Sequence, residues 1–379
     1  MHVEQNVWTA QGGWSGNGSP AKLVLAFGAG RLLRDKEIMD QARAMYPDAL
    51  FAGCSTSGEI VGDRVLDDSV ILTAVDFEHA QVKGARTTVA GPGESFRAGQ
   101  ELAGELVGED LAHVLVLSDG LLVNGSELVK GLMNVLGEGG IGRVSVTGGL
   151  AGDSDRFAET VTLLDSDAES GLVVAVGLYS TKLKVGYGSL GGWDPFGPER
   201  VVTRSSGNVL YEVDGKSALE LYKTYLGKHA EGLPSTGLLF PLSLRPGERY
   251  EEPVVRTILS VDEENQSMTF AGDVPQGSVV RFMKANLDRL VNGAMDAASA
   301  GLKALDGREP ELALLISCVG RKLVLGQRVE EEVEGVREVL GTGAAQAGFY
   351  SYGEISPFTA SGKCRLHNQT MTITLFSEE

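Results

Sequence analysis

Three separate stretches of this chain run through the same series of elements, and that internal repeat limits what the chain can fold into more than any other feature. Each has an apolar strand, a glycine-bearing loop, an amphipathic helix, a second short strand, and then glycine beside an acidic residue. The first opens at Leu23 (LVLAFGAG), continues through a helix from about Asp35 to Met45 and a strand from Leu50 to Ala52, and ends in Gly53-Cys54-Ser55-Thr56-Ser57-Gly58-Glu59-Ile60. The second opens at His113 (HVLVLSDG), has a helix near Ser126 to Leu136 and a strand from Val144 to Thr147, and ends in Gly148-Gly149-Leu150-Ala151-Gly152-Asp153. The third opens at Leu312 (LALLISCVG), has a helix near Arg328 to Leu340, and ends in Gly348-Phe349-Tyr350-Ser351-Tyr352-Gly353-Glu354-Ile355. The first and third endings share one spacing, a glycine, four residues, then Gly-Glu-Ile.

Helical spacing puts Val329, Val333, Val336 and Leu340 on one buried stripe. Glu330, Glu331, Glu332 and Glu334 then face water. Apolar or alternating runs at Val70 to Phe77, Leu172 to Tyr179, Leu183 to Gly188 and Thr370 to Phe376 read as strands. Helices returning between strands make this an α/β protein. Two related halves built of repeated β-α-β units are expected, with mixed sheets packed against helices; a layered α-β-β-α arrangement satisfies that description. The turn-rich Gly191-Gly192-Trp193-Asp194-Pro195-Phe196-Gly197-Pro198 marks a domain junction. It divides residues 21–200 from 201–379. Residues 1–20 read as an extension that packs through Trp8 and Trp14. Past the junction, Ser217 is a candidate cap for a helix to Leu226.

Composition removes several function classes. A formal charge of −18 repels a phosphate backbone, and no Lys/Arg stripe with interleaved aromatics offsets it, so nucleic acid is not an expected partner. No apolar run approaches the roughly 20 residues of a membrane helix. Residues Met1 to Trp14 lack the pattern of a secretory signal, so a cytoplasmic location is expected. Three cysteines, Cys54, Cys318 and Cys364, do not make a disulfide framework.

The chemical motifs are mostly incomplete. Gly28-Ala29-Gly30 follows a strand, but Leu33 stands where a dinucleotide fingerprint needs its third glycine. No phosphate-binding Gly-x4-Gly-Lys-Ser/Thr loop exists. Cys54, Ser55, Thr56 and Ser57 are candidate nucleophiles for a hydrolase or transferase, yet no serine has the flanking glycines of a nucleophile elbow. The five histidines are scattered, so none is singled out as a base. Cys364 and His367 have the step of one metal-ligand pair without a second. A lone imidazole in an apolar pocket is still enough to hold a haem iron. Glu59, Asp153 and Glu354 occupy matching positions after glycine. Two readings stay open: the acids line one cavity at the carboxyl ends of strands, or each bonds its own loop to close a turn.

Taken together, the three glycine-loop endings, with Cys318-Val319-Gly320-Arg321 and Leu366-His367-Asn368-Gln369-Thr370, resemble the FIST N and FIST C domains over residues 21 to 379. The resemblance implies a sensory module that binds a small ligand, such as an amino acid or related metabolite, and passes the result to a separate partner. It implies a histidine kinase or a cyclic-di-GMP enzyme (a diguanylate cyclase or phosphodiesterase) as that partner. One branch, the NosP-like proteins, binds haem and senses nitric oxide; His367 falls inside a family motif and is the axial candidate. On this reading the ligand pocket forms where the glycine loops converge, lined by Cys54, Ser55, Thr56, Ser57, Gly58 and Asp153. Glu59 and Glu354 receive an amino group or hydroxyl, Arg321 pairs with a carboxylate, and Tyr350 and Tyr352 supply amphipathic walls. A binding protein is expected rather than an enzyme. The acidic surface and long strands permit a homodimer.

Overall fold

The computed structural model describes residues 1–137, 144–245, 253–358 and 362–379. Each of the three repeats builds its own mixed sheet around a parallel pair: Leu23–Gly28 with Leu50–Ser55, Leu111–Ser118 with Ser145–Leu150, and Leu312–Cys318 with Ala345–Ser351. A right-handed helical return between parallel strands explains the helices at Lys36–Met45, Gly125–Leu136 and Val329–Leu340. On the far side of each opening strand lies an antiparallel neighbour, Val70–Asp76, Leu172–Tyr179 or Met371–Glu378. A further antiparallel strand follows outward in each sheet: His2–Thr9, Gln81–Thr88 and Leu183–Leu190.

The sheets are laced together by exchanging one strand each. Glu59–Val61 leaves the first repeat and pairs with the third, Gly353–Pro357 leaves the third and pairs with the second, and Thr162–Leu164 leaves the second and pairs with the first. The architecture therefore has three cyclically linked units rather than two halves. Period-two alternation sends Leu25, Phe27, Leu115, Leu117, Leu314 and Ile316 into one shared central core. The intervening Val24, Ala26, Val114, Val116, Ala313 and Leu315 pack under the outer helices. With both faces covered, these strands read as continuous apolar runs. The layering is sheet against sheet inside and helices outside, three times over.

Residues 1–20 pack on the body through Trp8 and Trp14 as expected, and they also add a strand to the first unit. His2–Thr9 is hydrogen-bonded to Val70–Asp76 along its length. By contrast, the turn at 191–198 does not close off a first domain, because strands on either side of it share two of the sheets. Instead it launches an insertion. Asp194–Ser206 to Val279–Lys284 forms a separate antiparallel sheet around the helix Ala218–Leu226, with its own core of Leu219, Tyr222, Phe270 and Phe282. Ser217 caps that helix, its Oγ accepting from the Glu220 N–H. Gly192 sits at the branch with φ +74°, where a Cβ would lie 1.9 Å from the Arg289 carbonyl oxygen. Only glycine meets both conditions. The third unit then resumes with the helix Leu287–Ala304. Among the described residues no helix is long and apolar enough to cross a membrane.

Candidate functional site

The three glycine loops do meet. The Ser57 N–H donates to the Tyr350 carbonyl at 2.8 Å, the Tyr352 N–H to Leu150 at 3.1 Å, and the Gly152 N–H to Ser55 at 2.9 Å, closing a ring of contacts. What they enclose is packed protein. Cys54, Ser55, Thr56, Ser57, Glu59, Tyr350 and Glu354 are all buried. Each hydroxyl has a structural partner: Ser55 Oγ accepts from Val161 N–H, Ser57 Oγ from Ser154 N–H, and Thr56 donates to Glu59. Burial also pushes the Cys54 thiol well above its ordinary range. A thiol held protonated is a poor nucleophile.

Glu59 and Glu354 play one part twice. Glu59 accepts from Thr56, three residues earlier, and from the N–H and hydroxyl of Ser69; Glu354 accepts from Ser351, again three residues earlier, and from the N–H and hydroxyl of Thr370. Ser69 and Thr370 stand just ahead of Val70–Asp76 and Met371–Glu378. Each carboxylate thus ties an exchanged strand to the last strand of its own repeat. Burial, outweighing these hydrogen bonds, pushes Glu59 up to about 7 and Glu354 up to about 8. Asp153 caps its loop, accepting from the N–H groups of Phe157, Ala158 and Glu159 and from the Tyr352 hydroxyl.

Arg321 and Glu332 lie elsewhere than the pattern predicts. Glu332 does not face water: it is fully buried and accepts from Arg321, the Tyr350 hydroxyl and Ser317. The remaining Arg321 donors go to the Gly191, Gln369 and Leu290 carbonyls. A guanidinium so engaged has no face left for a ligand carboxylate. Helical spacing missed this because a buried acid is legible only through its partner.

His367 is buried, its Nε2–H donating to the Ser356 carbonyl at 2.8 Å, and burial lowers it to about 4. It lines neither of the two cavities described here. With its Nε2–H committed to Ser356, the ring offers an iron only Nδ1, which is buried with no partner among the described residues. Beside it, both amide atoms of Asn368 and of Gln369 are buried with no partner among the described residues. A Cβ on Gly320 would lie 2.4 Å from Gln369 Nε2, so glycine there lets the amide approach the backbone.

Gly320 leads to the cavity. A concavity of about 700 Å³ opens where the insertion meets the second and third units. It sits beyond the carboxyl ends of Leu111–Ser118, Ser145–Leu150, Leu312–Cys318 and Ala345–Ser351, where α/β sheets place their ligands. The second unit contributes Gly120, Leu121, Leu150, Asp155 and Phe157; the insertion contributes Asn208, Leu238, Thr257, Leu259 and Phe270; the third unit contributes Cys318, Gly320, Leu323 and Tyr352. Of the residues singled out for the site from sequence, Tyr352 alone is among the residues lining it, and Asp153 stands behind Tyr352. The others hold the centre of the fold. Thr257 Oγ1 is buried in the wall without a partner among the described residues. Phe157, Leu259 and Leu323 were not foreseen; the signal available for Phe157 is an aromatic in the otherwise polar run Asp153-Ser154-Asp155-Arg156.

A second cavity, of about 760 Å³, lies between the helix Gly125–Leu136 and the insertion, with Arg256 and Leu366 in its wall. Among the described residues Arg256 donates to the carbonyls of Asp273, Val255 and Leu366, and burial lowers it to about 10. Among the described residues no group of three or more His, Cys, Asp or Glu side chains is placed to hold a metal ion.

Comparison with known proteins bears on the whole chain. Residues 22–216 match the family model described as the FIST N domain, and residues 218–357 match that of the FIST C domain. An uncharacterized protein of Methanocaldococcus jannaschii is 25% identical over 323 residues, which cover 79% of this chain and 60% of that one. The chain thus spans about 60% of that relative's length. A crystal structure of a chorismatase aligns over 99% of this chain and 98% of its own with a TM-score of 0.34 and 8% identity, a likeness too low to carry an argument.

Proposed function

The chain belongs to the FIST family of sensory signalling domains through both its N and C parts, and from that premise we propose that it is a ligand-binding sensor. The ligand occupies the cavity between the insertion and the second and third units. Its occupancy is read by a separate signalling protein, such as a histidine kinase or a cyclic-di-GMP enzyme. The observation that carries this reading is the convergence of three segments, distant in sequence, on one concave surface at strand carboxyl ends. A ligand bridging the insertion and the units changes how they pack, and that is a signal a partner can read.

Binding is favoured over catalysis because the candidate nucleophiles, Cys54 to Ser57, are buried and hydrogen-bonded away from the cavity. The haem alternative predicts a sharp Soret band on adding hemin that disappears in His367→Ala; with His367 placed as it is, a simply additive spectrum is expected. The ligand reading is tested by native mass spectrometry of protein purified without added ligand. A small-molecule adduct should be present in the wild type and lost in Leu323→Trp, which fills the mouth from an exposed position. An adduct retained undiminished in that variant would place the ligand elsewhere.

A further inference from the structure

The cavity's mouth carries exposed apolar side chains from three separate parts of the chain. Phe157 is 45% exposed, Leu323 43% and Leu259 41%, and they come from the second unit, the third unit and the insertion. Isolated exposed apolar residues need no explanation, whereas three gathered at one opening mark a binding surface. Phe157 is also fixed in place. Its backbone is in the left-handed region at φ +49°, its N–H is held by Asp153 at 2.9 Å, and its ring stacks on Tyr352 with centroids 4.6 Å apart and planes 15° apart. A non-glycine residue in that conformation costs free energy that the surrounding contacts must offset. The outcome is an aromatic ring held rigidly at the entrance with area still open to solvent.

The electrostatics of the walls are equally selective. Among the described residues no Lys, Arg or His lines the cavity, and Asp155 is the carboxylate in its lining. On the second unit's side of the cavity, the backbone donors that could meet an anion are already engaged, while the short helix Val319–Leu325 opposite has no side-chain cap. The Gly120 N–H donates to Thr160, the Leu121 and Leu122 N–H groups donate to Asp119, and the helix starting at Gly125 has its first N–H groups capped by Asn124. An anion entering here would lose its hydration without gaining a cation. The chain's charge of −18 opposes its approach as well.

Resting on the sensor reading above, we infer that the cavity takes a ligand with a planar aromatic body and an uncharged or cationic head group, and discriminates against carboxylates and phosphates. The ring lies on Phe157 between Leu259 and Leu323, and the head group meets polar atoms in the wall, such as the unpartnered Thr257 hydroxyl, or Asp155 when it is cationic.

The test is displacement of the neutral dye Nile red by three probes on one skeleton: 2-naphthamide, 2-naphthylmethylammonium and 2-naphthoate. The amide and the ammonium are expected to compete at least tenfold better than the carboxylate. Phe157→Leu, which keeps apolar area and removes the ring face, should weaken both by a few-fold without moving Tm. Equal or tighter binding of 2-naphthoate would overturn the inferred class while leaving the sensor reading standing. Failure of the dye and all three probes to bind, or binding untouched in Leu323→Trp, would overturn the cavity reading and this inference together.

Discussion

The ring of glycine loops and the cavity beside it are built from the same repeats, yet they treat polar and apolar groups in opposite ways. In the ring, every carboxylate, hydroxyl and guanidinium that the sequence singles out is buried and bonded: Glu59 and Glu354 to hydroxyls and N–H groups, Arg321 to Glu332. At the cavity, apolar surface stays exposed and Thr257 Oγ1 has no partner among the described residues. Chemistry concentrated in a motif therefore does not locate the site, because strand exchange at the centre needs polar anchors of its own. The proposed site lies instead where the insertion meets the second and third units and apolar side chains stay exposed.

Breaking the Arg321–Glu332 pair gives the largest expected effect. Glu332→Ala leaves a buried guanidinium with carbonyl partners alone, and the loss should be about 3–5 kcal/mol in urea unfolding. An exposed pair such as Arg204 with Glu212 should contribute below about 1 kcal/mol. Similar losses for the two pairs would mean that the centre is not the anchored region described here.

A smaller effect comes from pH. Glu59 and Glu354 hold protons more tightly in the folded state than in the unfolded chain, so between their ordinary range and about 8 the fold carries more bound protons and stability falls as pH rises. His113, pushed down to about 3 by burial, and His367, lowered to about 4, act in the opposite sense, since the unfolded chain binds the extra protons up to about pH 6.5. The two trends oppose each other up to that point. Above it, of these four groups only the carboxylates titrate, and they should make stability decline from about pH 6.5 to about 8. Glu59→Gln with Glu354→Gln should flatten that decline, and an unchanged slope would assign it to other groups.

The smallest effect on stability belongs to the rim. Leu323→Ser and Leu259→Ser sit on exposed surface and should shift unfolding by no more than about 0.5 kcal/mol. Both should nonetheless weaken binding of any ligand in the cavity. A rim change that destabilises like a core change would show that these side chains are structural.

Much of the fold is legible in the chain because it rests on local patterns. Apolar runs such as Leu172 to Tyr179 coincide with the observed strand, and Ser217 caps its helix as its position implies. The three glycine endings also converge as their recurrence implies. Strand exchange is not legible, because Glu59–Val61 is apolar enough to suit any of the three sheets and nothing local selects the third. Nor is the site. Phe157, Leu259 and Leu323 have no shared motif or spacing, and their meaning appears only once the insertion folds back over the units.

In the proposed sensor, ligand binds at the cavity and not within the ring of loops. Thermal unfolding of Glu354→Gln and Leu323→Trp, each with and without the small-molecule fraction of a cell lysate, tests it most directly. Glu354→Gln should keep the ligand-dependent rise in Tm and Leu323→Trp should lose it. The reverse pattern would contradict the account.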